Sequence, residues 1–207
     1  MASSSAPWSC REVNVGAKIG SLVLGWVVKI IAGLIERYTV AWQRRSFARS
    51  AAVRDTLEIH RARVGATRAI LLQTHNGGGR LTGNALLKSS VVLEAYASVE
   101  DSLHHAWQSQ PVDAEYRGLL HSLLEHQVVL IEPSTMAPGL LRGLYQAKGV
   151  QMSGVALVRS RSDAIDYVSI NVTTLPEHPC EICELRDQLR EAARSCASEI
   201  RALMGSW

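Results

Sequence analysis

The stretch RAILLQTHNGGG, residues 68 to 79, contains a short apolar run that ends in three consecutive glycines. An apolar run of this length, closed at once by turn residues, predicts a buried strand that leads into a loop. His75 and Asn76 fall where the strand meets the loop. Polar side chains at a strand end, beside a backbone without Cβ atoms, are well placed to line a cavity for a small molecule. His75 and Asn76 are therefore the first candidate ligand-binding residues.

The bulk composition bounds the size and class of the protein. A chain of 207 residues holds one domain of about 140 residues and an appendage. The net charge of +3 is too small to indicate a nucleic-acid partner, and we expect none.

Four cysteines, at positions 10, 180, 183 and 196, are too sparse for a disulfide scaffold, so we expect free thiols. Cys180 and Cys183 supply only half of a structural zinc site, and we predict no metal.

The N-terminal third of the sequence changes character twice. Residues 1–14 have no periodicity and are expected to be disordered. Residues 15–36 include a 17-residue apolar segment, 19–35, with a single charge, which is near the lower length limit for a transmembrane helix. The alternative is an amphipathic helix that lies in the plane of the membrane. Residues 37–66 are predicted to form a basic helical linker, continuous with the apolar segment because no proline or glycine interrupts residues 34–64.

The charges around the apolar segment predict topology and assembly. Eight arginines lie between positions 37 and 68, against three acids between 36 and 58, which places the C-terminal domain in the cytoplasm by the positive-inside rule. Lys18, Lys29 and Glu36 share one helical face with Gly25 and Gly33. A polar, small-residue face of a membrane helix packs best against another helix, so a homodimer is expected.

Residues 67–207 are predicted to form the globular domain. The patterns indicate strands at 69–74 and 86–96, a helix at 113–126 with Asp113 as N-cap, and a strand at 127–132. A helix at 139–148, a hairpin of strands 150–159 and 165–173, and a helix at 181–204 follow. In the second hairpin strand, alternation predicts Val168 and Ile170 inward, with Ser169 and Asn171 outward. The order predicts an α+β domain with one central antiparallel sheet flanked by helices.

Two segments of the domain carry a resemblance to a known family. The segment LLRGLYQAKGVQMSGVALV, residues 140–158, joins a short helix, a glycine and the first strand of a hairpin, and in this it resembles a GAF domain. The segment ILLQTHNGG, residues 70–78, with Glu94 further along, resembles the "HNG" pattern of small GAF-like proteins from phages and bacteria. The resemblance implies a fold that binds small molecules for sensing. It names no cofactor, because signatures for cyclic nucleotides or tetrapyrroles are not evident.

The candidate ligand-binding residues are His75, Asn76, Glu94 and Trp107. The alternative for His75 and Asn76 is that they only hydrogen-bond the glycine loop. We predict no catalytic residues, because the sequence has neither a Gly-x-Ser-x-Gly motif nor the Lys-Ser/Thr that a P-loop requires. We also expect no enzymatic output, because no kinase, cyclase or phosphodiesterase segment follows Met204.

Two functional hypotheses follow from the sequence. The first is a membrane-anchored GAF-like sensor or binding module for a small molecule or a partner protein. The second is a structural or interaction protein, of a phage for example, in which the fold serves as a scaffold and the pocket is closed.

Overall fold

The computed structural model describes residues 14–75 and 88–205, with the side chains of residues 14–25 and 27 excluded. Asn76, the glycines at 77–79 and the segment 1–13 lie outside these residues. The chain divides into two compact units, Met1–Ala48 and Arg49–Trp207, and each is described by itself.

The long N-terminal helix is a single element, as the absence of proline and glycine from residues 34–64 predicts. Helix α1 spans Asn14–Arg63, 50 residues. It contains the predicted membrane segment, whose first seven residues, 19–25, have no described side chains. Within the described residues, no helix is long and apolar enough to cross a membrane. The predicted transmembrane helix is therefore not supported.

The second unit is built on one antiparallel sheet, as predicted. The sequence-ordered elements are β1 (Arg68–His75), β2 (Lys88–Tyr96), β3 (Gln110–Pro111), α2 (Ala114–His126), β4 (Val128–Ile131), α3 (Leu140–Ala147), β5 (Met152–Ser160), β6 (Ala164–Val172) and α4 (Pro179–Gly205). The strands lie in the order β3-β2-β1-β6-β5-β4. All neighbouring pairs are antiparallel. The Asp113 side chain accepts from the Tyr116 amide at the start of α2, which confirms it as the N-cap.

Helix α4 and the last turns of α1 cover one face of the sheet, which we call the α4 face. Val53 and Leu57 of α1 pack there with the apolar stripe of α4, in a core that includes Leu189, Ala193 and residues of β5 and β6. His60 of α1 is fully buried, and its Nε2 lies 3.0 Å from Glu199 Oε1 of α4. The end of α1 is therefore an integral part of this core.

Residues 99–148 cover the opposite face, which we call the cap face. Alternation along β1 gives Ala69 and Leu71 to the α4 face and Ile70 and Leu72 to the cap face. The cap-face core also contains four large aromatic side chains, which are Trp107, Tyr116, Tyr145 and Tyr167. The cap face is where a small molecule would contact both the sheet and the cap.

The prediction that Ser169 and Asn171 point outward is wrong. Both residues are on the cap face of β6 and are 1 % and 0 % exposed. Period-2 alternation identified the two faces correctly, but polar residues do not mark a solvent face when hydrogen bonds satisfy them. The Ser169 hydroxyl bonds both Ser153 Oγ and Asn171 Oδ1. A buried polar row therefore runs across β6 and β5.

The sequence between residues 98 and 112 yields no prediction of secondary structure, although it contains the candidate ligand-binding residue Trp107. It contains a 3₁₀ turn at Val99–Asp101 and the short strand β3, which pairs with the start of β2. Buried side chains of this segment, Leu103 and Trp107, join the cap-face core. The isolated apolar residues of such a segment show no period, so periodicity could not detect it.

Candidate functional site

The structure places His75 at the end of β1, on the α4 face. It is half-buried, and its Nε2 lies 3.0 Å from the Ser90 hydroxyl of β2. Ser90 Oγ also accepts from the Ser109 amide, 2.9 Å away. His75 thus forms part of a polar contact that ties β1, β2 and the segment before β3 together. Its predicted neighbour in the site, Asn76, lies outside the described residues.

Glu94 lies on the cap face near the other end of the same hairpin. It pairs with Ile70, whereas His75 pairs with Lys88. Five residues of strand separate these positions, which is about 17 Å. The Glu94 carboxylate accepts from the Ser102 hydroxyl and from the Leu103 amide, the latter at 2.8 Å. Glu94 therefore anchors the segment that follows the 3₁₀ turn.

Trp107 is 2 % exposed and belongs to the cap-face core. Its ring meets the Tyr145 ring edge to face, with centroids 5.7 Å apart. Its amide donates to the Leu103 carbonyl and its carbonyl accepts from the Val91 amide. The structure does not bring Trp107 together with His75, because the two side chains lie on opposite faces of the sheet. The predicted ligand-binding roles of these residues remain predictions.

Two polar clusters on the cap face were missed by the sequence analysis. The first is a hydroxyl cluster of Ser89, Tyr116 and Tyr167, all essentially buried. The Tyr116 hydroxyl donates to Ser89 Oγ at 2.7 Å and contacts the Tyr167 hydroxyl. Burial raises the pKa of both Tyr116 and Tyr167, so both stay neutral hydrogen-bonding groups.

The second cluster is centred on Arg68, the first residue of β1. Arg68 is 2 % exposed, and its two terminal nitrogens donate to the carbonyls of Asp101 and Lys148, at 3.2 and 2.8 Å. Its Nε is buried and has no hydrogen-bond partner within the described residues. Burial lowers the pKa of Arg68, whereas the charges of Asp101 and Glu94 oppose that shift.

Asn171 of β6 is the cross-strand partner of Arg68 on this face. Its Oδ1 accepts from the Ser169 hydroxyl at 2.9 Å, but its Nδ2 is buried and has no partner in the described part of the chain. Ser153 of β5 pairs with Asn171 in turn. Burial also raises the pKa of Tyr145, and the hydroxyls of Ser169 and Ser153 partly oppose that shift. The cluster therefore presents two adjacent donors that no described acceptor satisfies.

One feature of the sequence could have identified Arg68 as a candidate buried residue. It is a charged residue directly before an apolar run, within the stretch that decides the fold. It lies outside the predicted linker, 37–66, and counts among the eight arginines that follow the apolar segment. Since arginine is almost never fully buried, a single sequence does not show which of them is. The sequence pattern indicated solvent exposure for three other members of the cluster, Ser153, Ser169 and Asn171, because polar residues at alternate positions are typical of a solvent face.

The cysteines carry no cluster of ligands in the part of the chain that is described. Cys180 and Cys183 are exposed thiols at the start of α4, and Cys196 is buried in the α4-face core. Burial raises the pKa of Cys196 to about 12, and the Glu199 carboxylate adds to the shift. Within the described residues, no three Cys, His, Asp or Glu side chains come close enough to hold a metal.

The raised pKa values of Tyr116 and Tyr167 predict that the protein loses stability at alkaline pH. In the folded protein the pKa values of Tyr116 and Tyr167 lie above the value near 10 that tyrosine has in the unfolded chain. The contribution of the two neutral hydroxyls to the free energy of unfolding is therefore complete below pH 10, and it is lost as the pH rises towards the folded pKa. Each tyrosine lowers the free energy of unfolding by up to about 1.4 kcal/mol per pH unit in that window. Urea unfolding between pH 8 and 11 measures the slope.

Matched variants distinguish the effect of these two tyrosines from that of other groups that titrate at alkaline pH. The double variant Tyr116→Phe/Tyr167→Phe is expected to show a shallower fall above pH 10 than the parent. Tyr38→Phe, at a side chain 76 % exposed, should keep the parent slope. An unchanged slope in the double variant would show that the hydroxyl cluster is not the origin of the alkaline loss.

Comparison with known proteins gives structural matches alone. No protein-family profile matches the chain, and no curated protein sequence matches it. The GAF domain region of a protein from Geobacter sulfurreducens PCA aligns with 80 % of this chain and 98 % of its own, at 10 % identity and a TM-score of 0.50.

Two further solved structures align less closely. The phycocyanobilin-bound GAF domain from a cyanobacterial phytochrome covers 79 % of this chain and 93 % of its own, at 17 % identity and a TM-score of 0.44. The GAF domain/HD domain protein from Geobacter sulfurreducens covers 74 % and 94 %, at 13 % identity and a TM-score of 0.44. Identities this low show fold alone. The order of elements, the six-stranded antiparallel sheet and the Geobacter match together show that the chain has a GAF-like fold.

Proposed function

We propose that the chain is a membrane-attached GAF-like binding module that takes up a small molecule between the cap face and residues 99–148. The observation that carries the ligand-binding part is a pair of buried donors, Arg68 Nε and Asn171 Nδ2, that have no hydrogen-bond partner within the described residues. The module has no catalytic output of its own in this proposal.

Arg68 is an unusual residue to find in a core. A guanidinium stays charged in proteins, and burying a charge costs several kcal/mol unless an opposite charge or good hydrogen bonds offset it. Within the described residues, Arg68 has two carbonyl acceptors and no ion pair within 4 Å. The charges of Asp101 and Glu94 act on it only from a greater distance. A ligand with a negatively charged or strongly polar oxygen would complete this environment.

Asn171 indicates the same chemistry from the neighbouring strand. Cross-strand partners on one face have Cβ atoms about 4.5–5.5 Å apart, so the Arg68 and Asn171 side chains start as neighbours. Buried donors are almost always paired in folded proteins. A carboxylate or carbonyl group of a ligand can accept from both, because one such oxygen has two lone pairs and a carboxylate has four acceptor sites. The ligand class is therefore a small molecule with a carboxylate or carbonyl group.

The second candidate function is that of a scaffold with a closed pocket, in a structural or interaction protein such as one from a phage. The observation that favours it is the filling of the cap-face core by Trp107, Tyr116, Tyr145 and Tyr167, each at most 2 % exposed. In that case, a buried water would bridge Arg68 and Asn171, as waters commonly do at unpaired polar groups.

Membrane attachment through α1 is the other part of the proposal. The described side chains of residues 26–35 include Trp26, Ile31, Leu34 and Ile35, which are 51–72 % exposed. A contiguous apolar surface of this kind marks a contact with lipid or protein. The arginines that follow support a cytoplasmic position of the second unit under the positive-inside rule. A homodimer fits the same segment, since the space around Gly33 is open and would let a second backbone approach.

A thermal-shift screen of the full chain in detergent tests the ligand. The library should contain small carboxylates, nucleotides and carbonyl-bearing metabolites. A compound at 100 times its dissociation constant is expected to stabilise the protein by about 2.7 kcal/mol. The shift should vanish in Asn171→Leu, which removes the Nδ2 donor. It should persist in Gln73→Leu, which changes an amide on the α4 face that bonds Asp166 instead.

Two results would favour the second candidate function, a scaffold with a closed pocket. One is the absence of any shift in the parent across the library. The other is a high-resolution crystal structure in which Arg68 Nε donates directly to the Asn171 carbonyl oxygen, or in which a fixed water satisfies both groups after soaking with the library.

A further inference from the structure

We propose that residues 37–45 of α1 bind the headgroups of anionic phospholipids. This inference rests on the proposed membrane attachment and adds the identity of the lipid partner. It concerns the first compact unit alone and is independent of the cap-face ligand.

The order of side chains along α1 carries the inference. Apolar side chains at 26–35 are followed at once by Arg37, Arg44 and Arg45, all exposed. Two large aromatics alternate with them, Tyr38 and Trp42, at 76 % and 61 % exposure. Aromatic residues with a polar edge and long cationic side chains are the residues that concentrate at membrane–water interfaces. The residues thus change from lipid-compatible to headgroup-compatible within one turn.

Helical geometry places these groups in one layer. Eight residues separate Arg37 from Arg45, which is about 12 Å of helix rise. At 100° per residue, the three arginines, Tyr38 and Trp42 fall within about 160° of the helix circumference. Arg37, Arg44 and Arg45 also line a shallow groove on this helix, together with Gly33, Glu36, Val40 and Ala41. The small residues leave room beside the arginines, and the three guanidinium groups outnumber the single carboxylate of Glu36.

The charge pattern selects an anionic partner. From residue 37 to residue 47 there are three arginines and no Asp or Glu, with Glu36 as the acid just before them. A guanidinium binds phosphate oxygens through two parallel hydrogen bonds. A neutral bilayer would satisfy the apolar residues but not this excess of positive charge. The surface therefore fits a bilayer that contains phosphatidylglycerol or another anionic lipid.

Vesicle flotation of the full-length chain, after removal of detergent, tests the inference. The probes are vesicles of phosphatidylcholine alone and vesicles with 30 % phosphatidylglycerol. One basic residue near an anionic surface contributes about a fivefold change in partition coefficient, so three give about 100-fold. The parent is expected to prefer the anionic vesicles by about that factor in 0.1 M salt. The preference should shrink strongly in 0.5 M salt, which screens the charges.

Matched triple variants locate the effect. R37Q/R44Q/R45Q should lose the preference for anionic vesicles and keep the thermal midpoint of the parent. R63Q/R190Q/R194Q removes the same charge from three other exposed arginines and should keep the preference. Equal loss in the two triple variants would overturn the inference, because net charge alone would then explain binding.

The vesicle results also separate this inference from the proposal it rests on. Equal flotation of the parent with neutral and anionic vesicles would overturn the headgroup assignment and leave membrane attachment standing. No flotation with either kind of vesicle would overturn both. Neither result bears on the ligand screen at Arg68 and Asn171.

Discussion

Replacement of Gly154 by alanine is expected to destabilise the second unit by about 1–3 kcal/mol, and replacement by valine by more. Gly154 of β5 faces α4. A Cβ at this position would lie 2.6 Å from the Leu189 carbonyl oxygen and 3.0 Å from its carbon. Both atoms belong to the helix backbone, so no side-chain rotation relieves the contact. Helix α4 would have to move away from the sheet, and it packs there through Leu189 and Ala193, both fully buried.

Gly118 provides a control with the opposite sign. It lies within α2, and a Cβ added there meets no atom within 4 Å. Gly118→Ala should therefore raise the free energy of unfolding by about 1 kcal/mol, because alanine has the higher helix propensity. Urea denaturation of the parent and both variants measures the difference. A Gly154→Ala variant as stable as the parent would mean that α4 and β5 do not approach as closely as this contact requires.

The sequence predicted the helices and strands well where apolar periodicity is strong. The predicted N-cap at Asp113 and the antiparallel sheet are confirmed. The predicted helix at 181–204 is present as α4 and buries apolar residues at helical spacing, which are Leu185, Leu189, Ala192, Ala193, Cys196 and Ile200. Each of these depends on local spacing, which a single sequence records directly. Their success explains why the GAF resemblance gave the right fold.

The candidate site was harder to predict, because its polar residues look like surface residues in the sequence. The partners of Arg68 are far away in the chain, and the Ser153 hydroxyl bonds Ser169 on the neighbouring strand. Arg68 reaches the carbonyl of Lys148, 80 residues later. No local pattern predicts such a contact. His75 and Glu94 are near in sequence, yet the hairpin register puts them about 17 Å apart along the strands.

The prediction of a transmembrane helix shows a different limit. A hydropathy pattern near the minimal length fits both a helix that crosses a bilayer and one that lies on it. The structure establishes the helical conformation of residues 14–63. It leaves the lipid contact to experiment, and the exposed residues Trp26, Tyr38 and Trp42 are where that experiment would look first.

Trp107→Ala is expected to be among the most destabilising single substitutions in the chain, at about 3–5 kcal/mol. The Trp107 ring is buried against Tyr145 and within the cap-face core. Its removal leaves a large cavity, because the sheet on one side and α3 on the other are held by their own hydrogen bonds. Trp42→Ala, at a residue 61 % exposed in the first unit, should leave the urea midpoint of the second unit unchanged.

Trp107→Phe separates ring packing from hydrogen bonding. Trp107 Nε1 makes no hydrogen bond of standard geometry in the described part of the chain, but the indole is close enough to the Tyr116 hydroxyl to lower its pKa. Phenylalanine therefore loses ring volume and only this weak polar contact. We expect it to retain most of the stability that Trp107→Ala loses. Similar losses in the two variants would instead assign the role to the indole nitrogen.

Addition of indole then tests whether the cap face can accept a small molecule. An apolar cavity left by a large-to-small substitution can bind a compound that fills it. Indole is expected to raise the urea midpoint of Trp107→Ala and to leave that of the parent unchanged, because the parent side chain already fills the space. Stabilisation of the parent by indole would reveal room beside Trp107 and favour an open ligand site. No effect on either protein would mean that the cap collapses into the space that Trp107 leaves.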